Sequence, residues 1–200
     1  MDERPSGPAG IVASINAPGP GHNLATEVVW ERWQKKRTFV RALEGTYGEL
    51  QRQIWSQPRV YSSKDQEWRG GPQLFDKTVI NPQKTDIAQS IETHMSVIAP
   101  LGTGQRHGHM NSAIFFCLRG KGYDIHDGVR YDYEAGDILV VENGCVHQHF
   151  NASETEDLVL LVMKAKPLFL FMHLLFQKIV EWPSKIPPKG AENYKPPSEI

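Results

Sequence analysis

Four of the chain's eight histidines stand in two tight pairs, His107-Gly108-His109 and His147-Gln148-His149. Side chains alternate across a β-strand, so residues two apart share a face and each pair turns both imidazoles the same way. Two such pairs facing one interior can converge on a single metal ion, because a neutral imidazole offers a ring-nitrogen lone pair to a divalent cation. The alternative reading of the same cluster is a metal-free or pH-sensitive pocket. Cys117 and Cys145, the only two cysteines, are too few for a disulfide scaffold and lack the paired spacing of a zinc finger. They read as small buried hydrophobes in a reducing, cytoplasmic protein, and neither is expected to act as a nucleophile.

The elements that must hold these residues are strands. From Ile91 onward the chain runs in short β-rich segments broken by Gly, Pro, Asn and Asp: SIETHMSVIA, AIFFCLRG, GYDIH, VRYDY, DILVV, CVHQHF and DLVLLVMKA. This is the pattern of an all-β barrel or sandwich. His126-Asp127-Gly128 joins two alternating runs, and Asp-Gly accepts the positive φ angles of a two-residue hairpin turn. No internal repeat is visible, so one barrel is expected.

Around that barrel the chain divides by composition. Residues 1–23, rich in Pro and Gly, read as a flexible arm; 24–90 as an N-terminal helix ending at Gly45 followed by an irregular, strand-containing extension; and 91–166 as the barrel. Pro167 opens an apolar run predicted as a C-terminal helix over 167–182, and the prolines of 183–200 predict a flexible tail. A helix apolar nearly all round must be covered, so it is expected to pack on the barrel or on a second subunit, in a homodimer or higher homo-oligomer. The run Pro167 to Phe176 is too short to span a membrane, and no secretory signal is apparent. A formal net charge of −1 over 200 residues argues against nucleic acid as the main partner.

Two stretches resemble the motifs of the cupin superfamily. Gly102-Thr103-Gly104-Gln105-Arg106-His107-Gly108-His109, with Ala113 and Gly120 beyond, resembles the first motif, in which an H-x-H pair precedes a glutamate and a turn glycine. Gly136 through Asn151 resembles the second, with His147 as its ligand histidine and Asn151 as its late asparagine. The resemblance implies an all-β cupin fold, a double-stranded β-helix or jelly-roll barrel, flanked here by N-terminal and C-terminal helices. Carried over, it leaves His107, His109 and His147 as metal ligands. Glu142 stands at the usual proline position and Ala113 at the usual glutamate position. The second departure removes the family's carboxylate ligand, and His149 or Asn111 could occupy the space it leaves.

Three neutral imidazoles leave a divalent ion at a formal charge of two, which favours a chelating anion such as a phenolate-carboxylate, enolate or thiolate. Cupins without the glutamate include gentisate- and salicylate-type ring-cleaving, β-diketone-cleaving and thiol dioxygenases. The resemblance therefore implies Fe(II)-dependent dioxygenase chemistry on a small anionic, hydroxylated aromatic substrate together with dioxygen. Mn, Ni, Zn and Cu compete for the same ligands. His149 is the expected acid/base or supporting group, Gln105 could hydrogen-bond a substrate oxygen if the strand starts early enough, and Arg106 could turn inward to pair with a carboxylate. Two other readings remain open: a non-oxidative metal-dependent lyase, isomerase or decarboxylase, and a small-molecule-binding cupin without turnover.

Overall fold

The computed structural model describes residues 55–82 and 90–200. The expected arm and N-terminal helix lie outside them. The described residues beyond Ser56 belong to one compact unit, Gln57–Ile200.

Among the described residues a 3-10 turn at Ser63–Asp65 is followed by eleven strands: β1 (Arg69–Gly70), β2 (Leu74–Ile80), β3 (Glu92–Ile98), β4 (Arg106–His109), β5 (Ala113–Arg119), β6 (Lys121–His126), β7 (Val129–Glu134), β8 (Ile138–Val141), β9 (Val146–Asn151), β10 (Leu158–Lys164) and β11 (Gln177–Glu181), with a helix, α1 (Lys166–Phe171), before the last. They form two antiparallel sheets, β1-β2-β3-β10-β5-β8 and β11-β4-β9-β6-β7. From β3 onward the chain passes repeatedly between them, which is the jelly roll expected from the sequence. The alternation of apolar residues decides which face turns in: Ala113, Phe115 and Cys117 of β5 join Ile98, Leu158, Leu160, Val162 and Tyr133 in one buried core.

Local chemistry fixes the turns. Asp127 and Gly128 take φ of 45° and 91°, the left-handed pair that a two-residue hairpin needs between β6 and β7. Asn151 closes the second motif as a structural pin. Its amide donates to the carbonyls of Ile98, Ala99 and Glu156, and its oxygen accepts from the Ser153 backbone.

Two elements differ from expectation. The predicted helix over 167–182 is only the six residues of α1; His173 then adopts φ 58°, and the chain continues as β11 paired to β4. The apolar run lacks a polar face, so periodicity could not separate a helix from a strand, and the free edge of β4 captures its second half. The stretch 183–200 is irregular but not loose. Trp68 donates to the Pro197 carbonyl at 2.9 Å, the Tyr194 hydroxyl donates to Asp157 at 2.8 Å, and Tyr194 and Ile200 pack on Met95, Val97 and Val159. Among the described residues no helix is long and apolar enough to cross a membrane.

Gly120 links β5 to β6 at φ 87°, and an added Cβ would meet the Asp157 carbonyl oxygen at 2.5 Å. Gly120→Ala is expected to cost about 2–3 kcal/mol through strain and overlap together. Urea unfolding at neutral pH measures this, and a loss under about 0.5 kcal/mol would contradict it.

Candidate metal centre

β4 and β9 lie side by side, with His107 opposite His147 and Gly108 opposite Val146. The pleat turns His107, His109 and His147 to one point, where one ligand atom from each lies within 4.8 Å of the others. Their Nδ1 atoms are all engaged by backbone carbonyls: His107 with Gln105 at 3.1 Å, His109 with Asn111 at 2.6 Å and His147 with Cys145 at 3.2 Å. A carbonyl only accepts, so each Nδ1 carries the proton and each Nε2 carries a lone pair. The Nε2 of His147 is buried without a hydrogen-bond partner. An orphaned acceptor of this kind, among rings oriented from behind by carbonyls, is what a metal ion satisfies.

Electrostatics favour the neutral form. Burial, reinforced by the neighbouring rings, holds His147 down at about 2 and His107 at about 4, and burial also lowers His109. The rings are thus ligand-ready at neutral pH without losing a proton.

His149 lies beside the cluster, its ring centroid 5.2 Å from His147 and 4.6 Å from Phe115. It does not join the three converging atoms. Its Nδ1 donates instead to Asp124 at 2.5 Å, and that fully buried carboxylate also accepts from His126 at 3.4 Å and from the Tyr133 hydroxyl at 3.0 Å. Burial pushes the Asp124 carboxyl up, but the His149 ring and these three hydrogen bonds outweigh it and hold the group at about 2. Asn111 is buried, with its side-chain oxygen unpartnered. Ala113 sits in the hydrophobic core and supplies no ligand.

A cavity of about 410 Å³ opens onto the cluster and is lined by His107, His109, His149, Gln105 and Phe115. Gln105 lines it although β4 begins only at Arg106. Arg106 does not: it is exposed on β4, outside the cavity and beside Glu181 of β11, because strand alternation turns it away from its histidine neighbours. His94, Asp76 and Lys164 line another part of the wall. His94 is buried there, 3.9 Å from Asp76. Sequence reasoning missed Asp76 and Lys164, since pairing of β2 and β10 with β3 is what brings them together. Alternation from the apolar residues of β10 would have marked only Lys164, as an inward-facing charge.

A jelly-roll barrel with a three-imidazole cluster on its inner face defines a small β-barrel with a candidate metal site. Residues 94–164 match the model of the cupin domain, and the barrel has the cupin fold. No curated protein matches the sequence. Among solved structures, salicylate 1,2-dioxygenase from Pseudoaminobacter salicylatoxidans with gentisate is similar at 16% identity and a TM-score of 0.50, over 71% of this chain and 36% of that one. A cupin-like protein from Thermotoga maritima is similar at 20% identity and a TM-score of 0.47, over 63% and 87%. The likeness is one of fold, and the chain spans about a third of the dioxygenase's length.

Asp124 should anchor the fold as well as His149. Its carboxyl lies below its unfolded value, so its contribution is complete above about pH 4 and is lost as pH falls through about 2. Asp124→Asn is expected to cost about 3–5 kcal/mol at pH 7, and the gap from wild type should narrow below pH 4. Urea unfolding at pH 7 and pH 3 tests both statements; an equal gap at the two values would contradict the assignment.

Proposed function

We propose that this cupin is a non-haem Fe(II)-dependent dioxygenase of a small anionic, hydroxylated aromatic substrate, in which His107, His109 and His147 hold the iron. The observation that carries the reading is the partnerless Nε2 of His147 in a cluster of three neutral imidazoles, with alanine where a carboxylate ligand would stand. When bound, iron supplies the site for joining dioxygen to a chelating substrate. The chain's residues do the rest. Phe115 gives the cavity an aromatic wall, Gln105 offers an amide to a substrate oxygen, and Lys164 provides a cation for a carboxylate. His149, set by Asp124, lines the cavity and can hold or pass the phenolic proton there. The likeness in fold to a dioxygenase captured with gentisate is compatible with this reading.

The two free thiols agree with a cytoplasmic setting. Leu170, Phe171, Met172, Leu174 and Phe176 are exposed in the single chain, and we assign this patch to a homodimer contact. Phe176→Glu should yield a monomer by light scattering; a wild type that is already monomeric would overturn the assignment.

Anaerobically purified protein should hold iron, and dioxygen uptake should appear with a class of hydroxybenzoates or hydroxynaphthoates. His147→Ala should lose the iron and the uptake together. Another resident metal, or iron without uptake on any substrate, would move the reading to non-oxidative cupin chemistry. Lys164→Met should raise KM for a carboxylated substrate about tenfold, corresponding to about 1.4 kcal/mol of binding, with less effect on kcat.

A further inference from the structure

A second set of donor atoms meets where the β6–β7 hairpin and the β8–β9 loop come together. His126 ends β6, Glu142 follows β8 and Cys145 precedes β9, and one ligand atom from each lies within 4.8 Å of the other two. The His126 ring is held from both sides: Nε2 is 3.4 Å from Asp124 Oδ2 and Nδ1 is 3.1 Å from Glu142 Oε2. Nδ1 therefore faces the other two donors while a fully buried carboxylate orients the ring from behind, the arrangement that commonly supports metal-bound imidazoles. Cys145 is buried and outside any disulfide, its thiol in hydrogen-bond contact with Glu142, yet unlike Cys117 it belongs to no hydrophobic cluster among the described residues, and it does not line the cavity.

We propose that His126 Nδ1, the Glu142 carboxylate and the Cys145 thiolate form a second metal site for a borderline divalent cation of the zinc type. Imidazole, carboxylate and thiolate together suit that ion and fill three positions of a tetrahedron. The Glu142 side chain is 58% exposed, so solvent reaches the fourth position and water can take it. On binding, the Cys145 S–H bond breaks as the sulfur–metal bond forms, and the proton goes to bulk water. A proton on His126 Nδ1 is displaced in the same way, and no electrons are transferred. The ion fastens the end of the hairpin to the β8–β9 loop. It also steadies the three-histidine centre, because the Cys145 carbonyl accepts from His147 Nδ1 and the Gly144 amide donates to the His109 carbonyl.

Cobalt(II) occupies zinc-type sites and gives a near-ultraviolet charge-transfer band only when a thiolate is a ligand, which the all-imidazole centre lacks. The full chain, Cys145→Ser and the double variant His107→Ala/His147→Ala are loaded with cobalt, counted for metal and scanned. Wild type should hold about two ions per chain and show the band; Cys145→Ser should lose the band and one ion; the double variant should keep the band. Absence of the band in wild type overturns the proposal whatever the variants do, as does a Cys145→Ser spectrum identical to wild type. A single ion per chain whose band survives in the double variant supports this site and removes the three-histidine reading. A single ion lost from the double variant, with no band in wild type, does the reverse.

Discussion

The pairing of His107 on β4 with His147 on β9 is the constraint on which the site depends. That ladder holds only two residue pairs, so little else sets its register. A slip of one residue would turn Gly108 to the interior and both neighbouring imidazoles to the other face. Gly108 itself permits the approach: a Cβ there would meet the Cys145 carbonyl at 3.1 Å and Val146 at 3.2 Å. β11 completes the support by pairing Ile179 with His107 and Gln177 with His109 along the other edge of β4. The strand that carries two of the three converging histidines is thus held on both sides, and the glycine between them eases the close approach of β4 and β9.

Charge is distributed around that register with economy. The three converging rings are neutral and bonded only to carbonyls, so the chain contributes no negative charge at the point where they meet. The buried carboxylate is Asp124, on β6, one strand away from His147 and His149 in the same sheet. It gathers hydrogen bonds from His149, His126 and Tyr133, which makes it affordable in a dry interior. Ala113 leaves apolar packing where a carboxylate would otherwise face the cluster. Asp124 therefore orients rings without lowering the charge of an ion held by the three histidines.

Strands with strict alternation and turn residues were legible in the sequence: β3, β5, β8 and β10 fall within the expected runs, β6, β7 and β9 overrun theirs by one residue each, and the Asp127-Gly128 turn follows from residue chemistry alone. The two histidine pairs were visible as sharing faces, because a period of two needs no tertiary information. What could not be read depends on partners remote in sequence. β11 is a strand only because β4 has a free edge, and an apolar run without a polar face carries no period to announce it. Asp76 and His94 reach the cavity through the β2–β3 pairing, and nothing local distinguishes them from paired surface groups. His126, taken as part of a turn, is buried because its strand runs to the last residue before the bend and alternation points it inward. Arg106, expected to turn inward, instead follows strand alternation and stays exposed.

The cavity's charge then bears on which substrates the proposed enzyme could accept. Burial lowers the Lys164 ammonium, while Glu92 and Asp76 work against that and favour its charged form. Glu92 lies 3.8 Å from the ammonium, far enough that the pairing does not saturate its three donors. With three neutral ligands an ion held there would keep its formal charge of two, so a neutral substrate would leave that charge uncompensated and the Lys164 cation balanced only by its wall carboxylates in a half-enclosed space. Two like charges in such surroundings repel more strongly than in bulk water, since the effective dielectric there is lower. A substrate with two negative groups removes the conflict, one chelating the ion and one pairing with Lys164. In the proposed enzyme, alanine at position 113 and a lysine at the end of β10 would therefore act in the same direction: both would favour dianions over neutral ligands, and neither requires a change in the barrel's register.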